Sequence, residues 1–565
     1  MSSSSTILDV GGAVAHRLPG YEQRPEQVEM ASAIERAFRD SRHLLVEAGT
    51  GVGKSFAYLI PAIQQATNDG ERVLVSTHTI ALQEQLIERD IPFLQAVWPD
   101  EFTAVLVKGR HNYLSIRRLV EASERQNLLF ARSEHLQELY RIEDWAYKTT
   151  DGSLADLSPL PDPAVWELAR SEHDNCMGRS CPQYAKCFYH SARRRAERAQ
   201  ILIVNHALML SDLALRRQGA GVLPDYQLAV IDEAHAFEAV ASEHFGRSVS
   251  QGQVRHLLNR LHNDRTGRGF LAAVHADAAA QTVEHTRRVA RTFWRAVTDW
   301  YAGTANPTGR VKTAIGVPNE LSDALRELRR DLRRVRASLT KEEEVVTLTS
   351  LTDRAGTLAD EIDLLIAEPP ADQVRWIEQT QSAHLAHPQI RICQAPTLVA
   401  DALRETLFTK VRSVVLTSAT LATRVDRHHA SVKNAPSPPG ARPASRGQSE
   451  DAAPPKTGFT YIRARLGIDE ADELQLGSPF NYREQVELHV EMGLPDPDSA
   501  ALFLPAAADA IERHVTETQG RALVLFTSYE MIGEMARVLR PRLEAAGLRL
   551  LVQGEGMPRS LMLER

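Results

Sequence analysis

One stretch of eight residues constrains the fold of this 565-residue chain more than any other. It reads Ala48, Gly49, Thr50, Gly51, Val52, Gly53, Lys54 and Ser55, and it follows the apolar run 44–46. Alternate glycines let backbone N–H groups turn inward around a phosphate, since no Cβ atom stands in the way. Lys54 offers a cation to the phosphates, and Ser55 offers a hydroxyl to Mg²⁺. The pattern predicts a strand, a phosphate-binding loop and a helix, which belong to a parallel α/β fold.

A pair of carboxylates forms a second candidate site, at the end of the apolar run 228–231. Asp232 stands where such a strand ends, and a carboxylate there can hold the Mg²⁺ shell. Glu233 can polarise the attacking water. His235, two residues further on, is predicted to couple the state of the nucleotide to a polymer site. With a phosphate loop upstream, the sequence Asp-Glu-Ala-His indicates a nucleotide-driven motor.

Two further polar segments are predicted to take part in the work of a nucleotide-driven motor. The residues Ser418-Ala419-Thr420-Leu421 follow the apolar run 414–416. Their hydroxyl pair is predicted to link hydrolysis to strand movement. Gln27 precedes the first predicted helix, and its amide can read an adenine edge with a paired donor and acceptor. A surface glutamine near a helix start is the alternative.

Three of the four cysteines lie within twelve residues of one another, at Cys176, Cys181 and Cys187. Thiolates this close usually converge on a soft metal or an iron–sulfur cluster. A fourth ligand must come from elsewhere, and His190 would complete a Cys₃His zinc site. Three buried thiols without a metal are the alternative. Cys393 stands alone in an apolar segment and is predicted to be a buried structural thiol.

The composition argues against a membrane-spanning protein and a secreted protein. Hydrophobic residues make up 43% and charged residues 25%, as in ordinary globular proteins. No apolar run approaches the roughly 18–20 residues that span a bilayer, and the start of the chain lacks a secretory pattern. We therefore expect a cytoplasmic protein with no membrane partner. The net charge of −7 does not by itself indicate that the protein binds nucleic acid. Arginine clusters at 193–195 and 329–334 are either solvated helix faces or phosphate contacts for single-stranded DNA.

Strand and helix signals divide the chain into segments. Residues 20–107 alternate strand and helix, which indicates a parallel sheet. The alternation is lost over 108–195, where the three cysteines lie, and buried strands resume at 201–204. Residues 246–385 are predicted to be helical, with a heptad stripe at Leu321, Leu325, Leu328, Leu332, Val335 and Leu339.

The last part of the chain begins with a segment whose composition is typical of disordered protein. Residues 424–457 are rich in Pro, Ser, Arg, His and Ala and bury too little apolar surface, so they are predicted to be disordered. After them, residues 522–526 resemble the first strand of a second α/β domain. That domain looks incomplete, because only 39 residues follow Phe526.

In this order the motifs resemble the DinG/XPD-like iron–sulfur superfamily 2 helicases, and most closely their bacterial DinG and YoaA members. The resemblance runs from about residue 18 to the C-terminus, apart from 424–457. The segments that carry it are 21–27, 48–55, 76–79, 107–114, 175–182, 204–208, 232–235, 418–421 and 478–480.

The resemblance implies an α/β fold with a RecA-like P-loop motor domain that carries an iron–sulfur insertion and a helical arch insertion. An incomplete second RecA-like domain follows. The implied boundaries are 1–107, 196–245 and 389–423 for the first motor domain, 108–195 for the iron–sulfur insertion, 246–388 for the arch, 424–457 for the disordered insert and 458–565 for the partial second domain.

The family's activity is ATP- and Mg²⁺-dependent unwinding of DNA from 5′ to 3′, in DNA repair or replication. Single-stranded DNA, or DNA with a single-stranded tail, is the implied partner. The implied cofactor is a [4Fe–4S] cluster held by four cysteines. The resemblance places catalysis on Lys54, Asp232, Glu233 and His235, and it places cluster ligands at Cys176, Cys181 and Cys187.

The sequence departs from the family pattern at two places. The first cluster cysteine is expected after residue 114, where this chain has Ser115. Serine, water or His111 is a poorer iron ligand than thiolate, so we expect a labile or three-iron cluster, or none. The family's later motifs are expected beyond Arg565. The alternative function is therefore an ATP- and DNA-binding remnant without effective helicase activity, or a subunit completed by a companion polypeptide.

Overall fold

A parallel sheet of seven strands lies at the centre of the chain. The structure is a computed structural model that describes residues 3–126, 133–217, 219–304, 309–380, 389–423, 458–497, 499–555 and 562. The predicted insert 424–457 lies outside the described residues. The described chain divides into two compact units, Met1–Pro479 and Phe480–Arg565. None of the described helices combines the length and apolarity needed to cross a membrane.

The strands of the first unit are β1 (Leu44–Glu47), β2 (Val73–Thr77), β3 (Ala104–Leu106), β4 (Ile201–Asn205), β5 (Leu228–Asp232), β6 (Arg247–Ser250), β7 (Arg310–Val311), β8 (Gln373–Thr380), β9 (Gln389–Pro396), β10 (Ser413–Ser418) and β11 (Asp472–Gln475). The large sheet has the order β11-β1-β10-β5-β2-β4-β3, and its pairs are parallel. The predicted strands β1, β2, β4, β5 and β10 are confirmed.

Helices cover this sheet, which explains why its central strands are buried throughout rather than alternating between buried and exposed residues. β2, β5 and β10 are buried at every residue. The helices of this part of the chain are Ser4–Ile7, Ala13–Arg17, Pro25–Arg39, Lys54–Asn68, Ile80–Gln85, Ile91–Val97, His206–Arg216, Phe237–Phe245, Ala400–Leu403 and Thr460–Leu466, with π-helical turns at Leu86–Asp90 and Arg404–Phe408.

The edge strand β11 was not predicted. It pairs in parallel with β1, and Leu474 packs against the core of the first unit. Residues 458–479 therefore lie in the first unit, whereas the sequence-based boundary assigned 458–565 to a second domain. The strand escapes prediction because its four residues, Asp-Glu-Leu-Gln, contain a single apolar side chain.

The second unit is helical in its described residues. Its helices are Tyr482–Gln485, Ala500–Glu517 and Tyr529–Ala545. The prediction of a strand at 522–526 is wrong, because none of the described residues of this unit is in a strand. Leu523 and Leu525 are 86% and 83% exposed. An apolar run becomes a strand only where a neighbouring strand satisfies its backbone groups, and the described residues supply none here.

The first insertion lies between β3 and β4 and has a core of its own. Its helices are Ile116–Glu124, Ser133–Ala146, Pro163–Ala169 and Phe188–Arg198. The buried Arg117 donates to the backbone and side-chain oxygens of Asn175, at 2.8 and 2.7 Å. These bonds fix the start of the loop that carries the cysteines.

The second insertion combines helices with a sheet. Its helices are Gln251–Leu261, Phe270–Ala273, Asp277–Gly303, Glu320–Ser338 and Glu342–Ile366. The heptad stripe is confirmed, since Leu321, Leu325, Leu328 and Leu332 are buried and Val335 and Leu339 pack against the same core. The prediction that 246–385 is helical throughout is wrong, because β6, β7 and β8 lie in this range. They form an antiparallel sheet with β9, in the order β6-β9-β8-β7.

Two polar side chains, those of Arg375 and Cys393, are buried on this sheet. Arg375 of β8 is fully buried and donates to the carbonyls of Leu364 and Ala367, at the end of the helix Glu342–Ile366. A strand with a charged residue at an inward position does not look like a buried strand in the sequence. Cys393 of β9 is 3% exposed, which confirms the predicted buried thiol, and burial raises its pKa to about 12.

Candidate nucleotide and active site

The phosphate loop joins β1 to the helix Lys54–Asn68, as predicted. Gly51 and Gly53 have φ values of 86° and 83°, in the left-handed region that glycine adopts without strain. A Cβ atom on Gly53 would lie 2.1 Å from Nε2 of Gln27. Nζ of Lys54 donates to the carbonyl of Ala48 at 3.3 Å. The loop therefore brings an ammonium group and a helix N-terminus together, which is the arrangement that binds phosphate.

Gln27 contacts the loop itself. It is only 4% exposed, and its Nε2 donates to the carbonyl of Gly53 at 2.9 Å. Arg24 donates to the carbonyl of Gly51. These two bonds support the loop from outside, so part of the Gln27 amide is occupied. Its predicted role in reading adenine stays a prediction.

Asp232, at the end of β5, lies close to the phosphate loop and its helix. The hydroxyl of Tyr58, from the helix after the loop, donates to Oδ2 of Asp232 at 3.2 Å. Burial and then the charge of Glu233 raise the pKa of Asp232 to about 6, while the charge of Lys54 opposes the shift. The side chain of Ser55 hydrogen-bonds with Tyr58 and Asp90. The structure thus brings together Ser55, Lys54 and Asp232, as the sequence predicted.

These residues fit a magnesium site of the kind that uses few protein ligands. Mg²⁺ is held by one or two carboxylates together with substrate phosphates and water. Ser55 and Asp232 are such a set, and Asp90 is a neighbouring carboxylate that sequence reasoning missed. In the described ranges, no group of three or more His, Cys, Asp or Glu side chains is arranged to hold a metal. Since Ser55 and Asp232 would supply two ligands, the phosphates of a bound nucleotide and water would supply the rest.

The remaining residues of the acidic box connect to β10. Glu233 has a φ of 54°, a strained value for a residue with a side chain, and its N–H donates to Oδ1 of Asp232 at 3.0 Å. Nδ1 of His235 lies 2.8 Å from Oγ of Ser418 and 3.3 Å from Oε2 of Glu233. A continuous polar contact therefore joins the predicted water-activating carboxylate to the segment that begins at Ser418.

Two more polar residues at this edge of the sheet were not predicted as site residues. His206 is 1% exposed, and its Nδ1 lies 2.7 Å from Oγ of Ser76. Burial, then the charge of His78, lower the pKa of His206 to about 3, so it is neutral. Glu47 is the last residue of β1. Both could have been found from the sequence, because polar residues at the carboxyl ends of parallel strands meet at one edge.

Comparison with known proteins finds helicases among those similar to this chain. The family model of the DEAD/DEAH box helicases matches residues 24–152. The ATP-dependent helicase DinG of Mycobacterium tuberculosis is 30% identical over 571 residues, covering 97% of this chain and 77% of the relative. The chain belongs to the DinG helicase family. The ATP-dependent DNA helicase YoaA of Escherichia coli is 29% identical, over 96% of this chain and 77% of the relative. An XPD helicase structure matches with a TM-score of 0.45 at 14% identity, over 91% of this chain and 74% of that one.

We expect kcat/KM for ATP in this DinG-family chain to fall as the pH drops through about 6, the pKa of Asp232. Below that pH the carboxyl is protonated and loses its affinity for Mg²⁺, so the loss lies on the acid side. The effect on stability has the opposite direction. The pKa of Asp232 is raised above its ordinary value of 3.8, so the folded state binds more protons than the unfolded state. Between these two values its contribution to stability decreases as the pH rises.

The measurement is the profile of kcat/KM for ATP between about pH 5 and 8 at limiting Mg²⁺, where the proton competes with the cation for the Asp232 carboxylate. Unfolding of the same samples by denaturant shows whether inactivation reflects loss of fold. A flat profile across this range, with the chain folded throughout, contradicts the assignment of Asp232 to the Mg²⁺ shell.

The family also implies a [4Fe–4S] cluster, and the cysteine loop tests the fit. Sγ of Cys176 accepts from Nη2 of Arg110 at 2.9 Å and lies 3.9 Å from Nε2 of His190. Burial raises the pKa of Cys187, and the charges of Cys176 and Cys181 add to this rise. The three thiols are therefore neighbours, and all are partly exposed rather than buried.

The donor set does not fit a cluster held by four thiolates. Ser115 stands where the family pattern has its first cluster cysteine. Its N–H donates to the carbonyl of Ala169, and it is the residue before the helix Ile116–Glu124. Within the described ranges the three cysteines and His190 are not arranged around one metal point.

Iron and sulfide analysis after anaerobic purification is expected to show less than one [4Fe–4S] centre per chain, because thiolate is the ligand that these clusters require. The variant Ser115→Cys is expected to raise the iron content, and Ser338→Cys, at the end of a helix outside this insertion, is the matched control. A stable, stoichiometric four-iron centre in the unmodified chain contradicts this prediction.

Proposed function

We propose that this chain is an ATP-dependent DNA helicase of the DinG type. The observation that carries the proposal is the contact set in which Ser55, Lys54 and Asp232 lie together while His235 joins Glu233 to Ser418. Similarity over 96% and 97% of this chain, and over 77% of each relative, to proteins named ATP-dependent DNA helicase and ATP-dependent helicase supports it. These matches favour a motor over the alternative of a remnant without effective helicase activity.

Each residue has a distinct role in the proposed hydrolysis. Lys54 and the N–H groups of the phosphate loop bind the β- and γ-phosphates, and Ser55 and Asp232 hold Mg²⁺, which neutralises developing charge when bound. Glu233 orients the attacking water and takes up its proton. His235 passes the resulting change to Ser418 through their 2.8 Å contact. Hydrolysis would thereby be linked to movement along DNA.

The substrate we propose is DNA with a single-stranded tail, unwound from 5′ to 3′ in repair or replication, in the cytoplasm. This finer part rests on the family resemblance. Exposed arginines at Arg194, Arg330 and Arg333 are candidates for phosphate contacts, and that role stays a prediction. The division into a first motor domain with two insertions and a second motor domain after them is likewise a proposal.

Strand separation tests this function. Duplexes with a 5′ tail, a 3′ tail or blunt ends are incubated with the purified chain, Mg²⁺ and ATP, and release of the labelled strand is followed. We expect release from the 5′-tailed duplex only, and none with a non-hydrolysable ATP analogue. Release from the 3′-tailed duplex contradicts the polarity, and release without hydrolysis contradicts the motor.

A further inference from the structure

Glu47 occupies a position between the nucleotide loop and two neighbouring strands. It is the last residue of β1 and directly precedes Ala48, the first residue of the phosphate loop. In the register of the sheet it lies beside Ser418 of β10 on one side and Gln475 of β11 on the other. The N–H of Ala48 also donates to the carbonyl of Ser418 at 2.9 Å. The residue therefore stands where the phosphate loop and the Ser418 segment leave the sheet together.

The carboxylate of Glu47 is fully engaged by donors from these neighbours. Oε2 accepts from the backbone N–H groups of Leu421 and Ala422, each at 2.6 Å. Oε1 accepts from Nε2 of Gln475 at 2.8 Å. Burial raises the pKa of Glu47, but the three donors lower it more, so the net shift is downward. The group is thus ionised, and its hydrogen bonds are of the stronger, charge-assisted kind.

The two N–H groups held by Glu47 end the turn that starts at Ser418. The start of that turn is bound by His235 of the acidic box. One end of the turn is therefore connected to the water-activating region, and the other is connected through Glu47 to the phosphate loop. The turn is therefore one hydrogen-bonded path between the two regions, beside the direct bond from Ala48 to Ser418.

We infer that Glu47 is a positioning residue that couples DNA binding to ATP turnover by fixing the 418–422 turn against the phosphate loop. The inference deepens the proposed helicase function and rests on it. The hydrogen bonds of its carboxylate go to Leu421, Ala422 and Gln475, so we place its effect on the turn and, through the turn, on the response to DNA. Leu421 and Ala422 are 374 and 375 residues away in sequence, which makes the link a property of the fold.

Three variants separate coupling from stability. Glu47→Ala removes all three hydrogen bonds. Glu47→Gln keeps one acceptor oxygen that can take both N–H groups, but without the charge, so it retains part of the link. Asp212→Asn is the matched control. The buried Asp212 also accepts two consecutive backbone N–H groups, from Val222 and Leu223 at 2.6 and 2.8 Å, away from the loop, the box and the turn.

The measurement is kcat and KM for ATP with and without single-stranded DNA, together with the Tm of each protein. In Glu47→Ala the ratio of DNA-stimulated to basal kcat is expected to fall about tenfold, the equivalent of one charged hydrogen bond. KM for ATP should stay within about threefold of the unmodified chain. The ratio in Glu47→Gln should lie between that of Glu47→Ala and that of the unmodified chain. Asp212→Asn should lower Tm and leave the ratio unchanged.

An unchanged ratio in both Glu47 variants, or a loss that lies only in KM, overturns the inference while the unmodified chain remains DNA-stimulated. A loss in Asp212→Asn equal to that in the Glu47 variants also overturns it, because the effect is then one of stability. If Glu47→Ala does not fold, the inference is tested by the ratio of DNA-stimulated to basal kcat in Glu47→Gln alone. Absence of DNA stimulation in the unmodified chain overturns the proposed function, and the inference with it.

Discussion

Replacing Glu233 with glutamine is expected to lower kcat for ATP hydrolysis on the order of 10²- to 10⁴-fold, the range of a lost general base. Glutamine has nearly the same shape, so the left-handed backbone at this residue and the N–H bond to Asp232 are retained. What is lost is the ability to take a proton from water. Binding of ATP should therefore persist, and the variant should hold unhydrolysed nucleotide.

Rapid-quench hydrolysis in a single turnover measures the chemical step, and a fluorescent ATP analogue measures binding. The matched control is Glu238→Gln, one turn further on, whose carboxylate pairs with Arg465 rather than with the site. It should hydrolyse ATP at nearly the normal rate. If the loss in Glu233→Gln appears in nucleotide affinity and not in kcat, the residue acts in binding, and the proposed role is wrong.

Replacing Lys54 with alanine is expected to reduce ATP turnover on the order of 10²- to 10³-fold, the range for removing one preorganised electrostatic donor. Lys54 follows the left-handed Gly53, which aims its side chain back over the loop towards Ala48. Its charge also opposes the rise in the pKa of Asp232. Without it Asp232 should be protonated at a higher pH, so the acid side of the pH profile should move upward.

Steady-state ATP turnover measures the first effect, and the pH profile of the residual activity measures the second. Lys341→Ala is the control, because Lys341 is 74% exposed and lies beside Glu344 in the second insertion. Turnover in Lys54→Ala that stays within about tenfold of normal contradicts a phosphate-binding role, since that role predicts a larger loss.

The nucleotide loop could be predicted because its signal is local. Glycines at 51 and 53 are required by positive φ values, and the adjoining strand and helix show their own apolar patterns. β5 and Asp232 could be predicted for the same reason. That Lys54, Asp232 and Ser418 meet follows from one further rule, because carboxyl ends of parallel strands share an edge.

Other features depend on contacts between distant segments and leave little local trace. β11 has one apolar residue and becomes a strand only by pairing with β1, more than 400 residues earlier in the chain. β8 carries the buried Arg375, whose burial is possible because it binds the carbonyls at the end of a helix. Conversely, residues 522–526 have the apolar pattern of a strand but no partner strand among the described residues. Pattern alone does not supply the neighbour that a sheet requires.

Steady-state ATP turnover by the purified chain, measured with and without single-stranded DNA, decides whether the chain is a DNA-dependent motor. We expect turnover that depends on Mg²⁺, rises several-fold with DNA and falls on the order of 10²- to 10³-fold in Lys54→Ala prepared in the same way. Turnover that is slow and unchanged by DNA, in a chain that binds ATP normally, would indicate instead a nucleotide- and DNA-binding protein without motor activity.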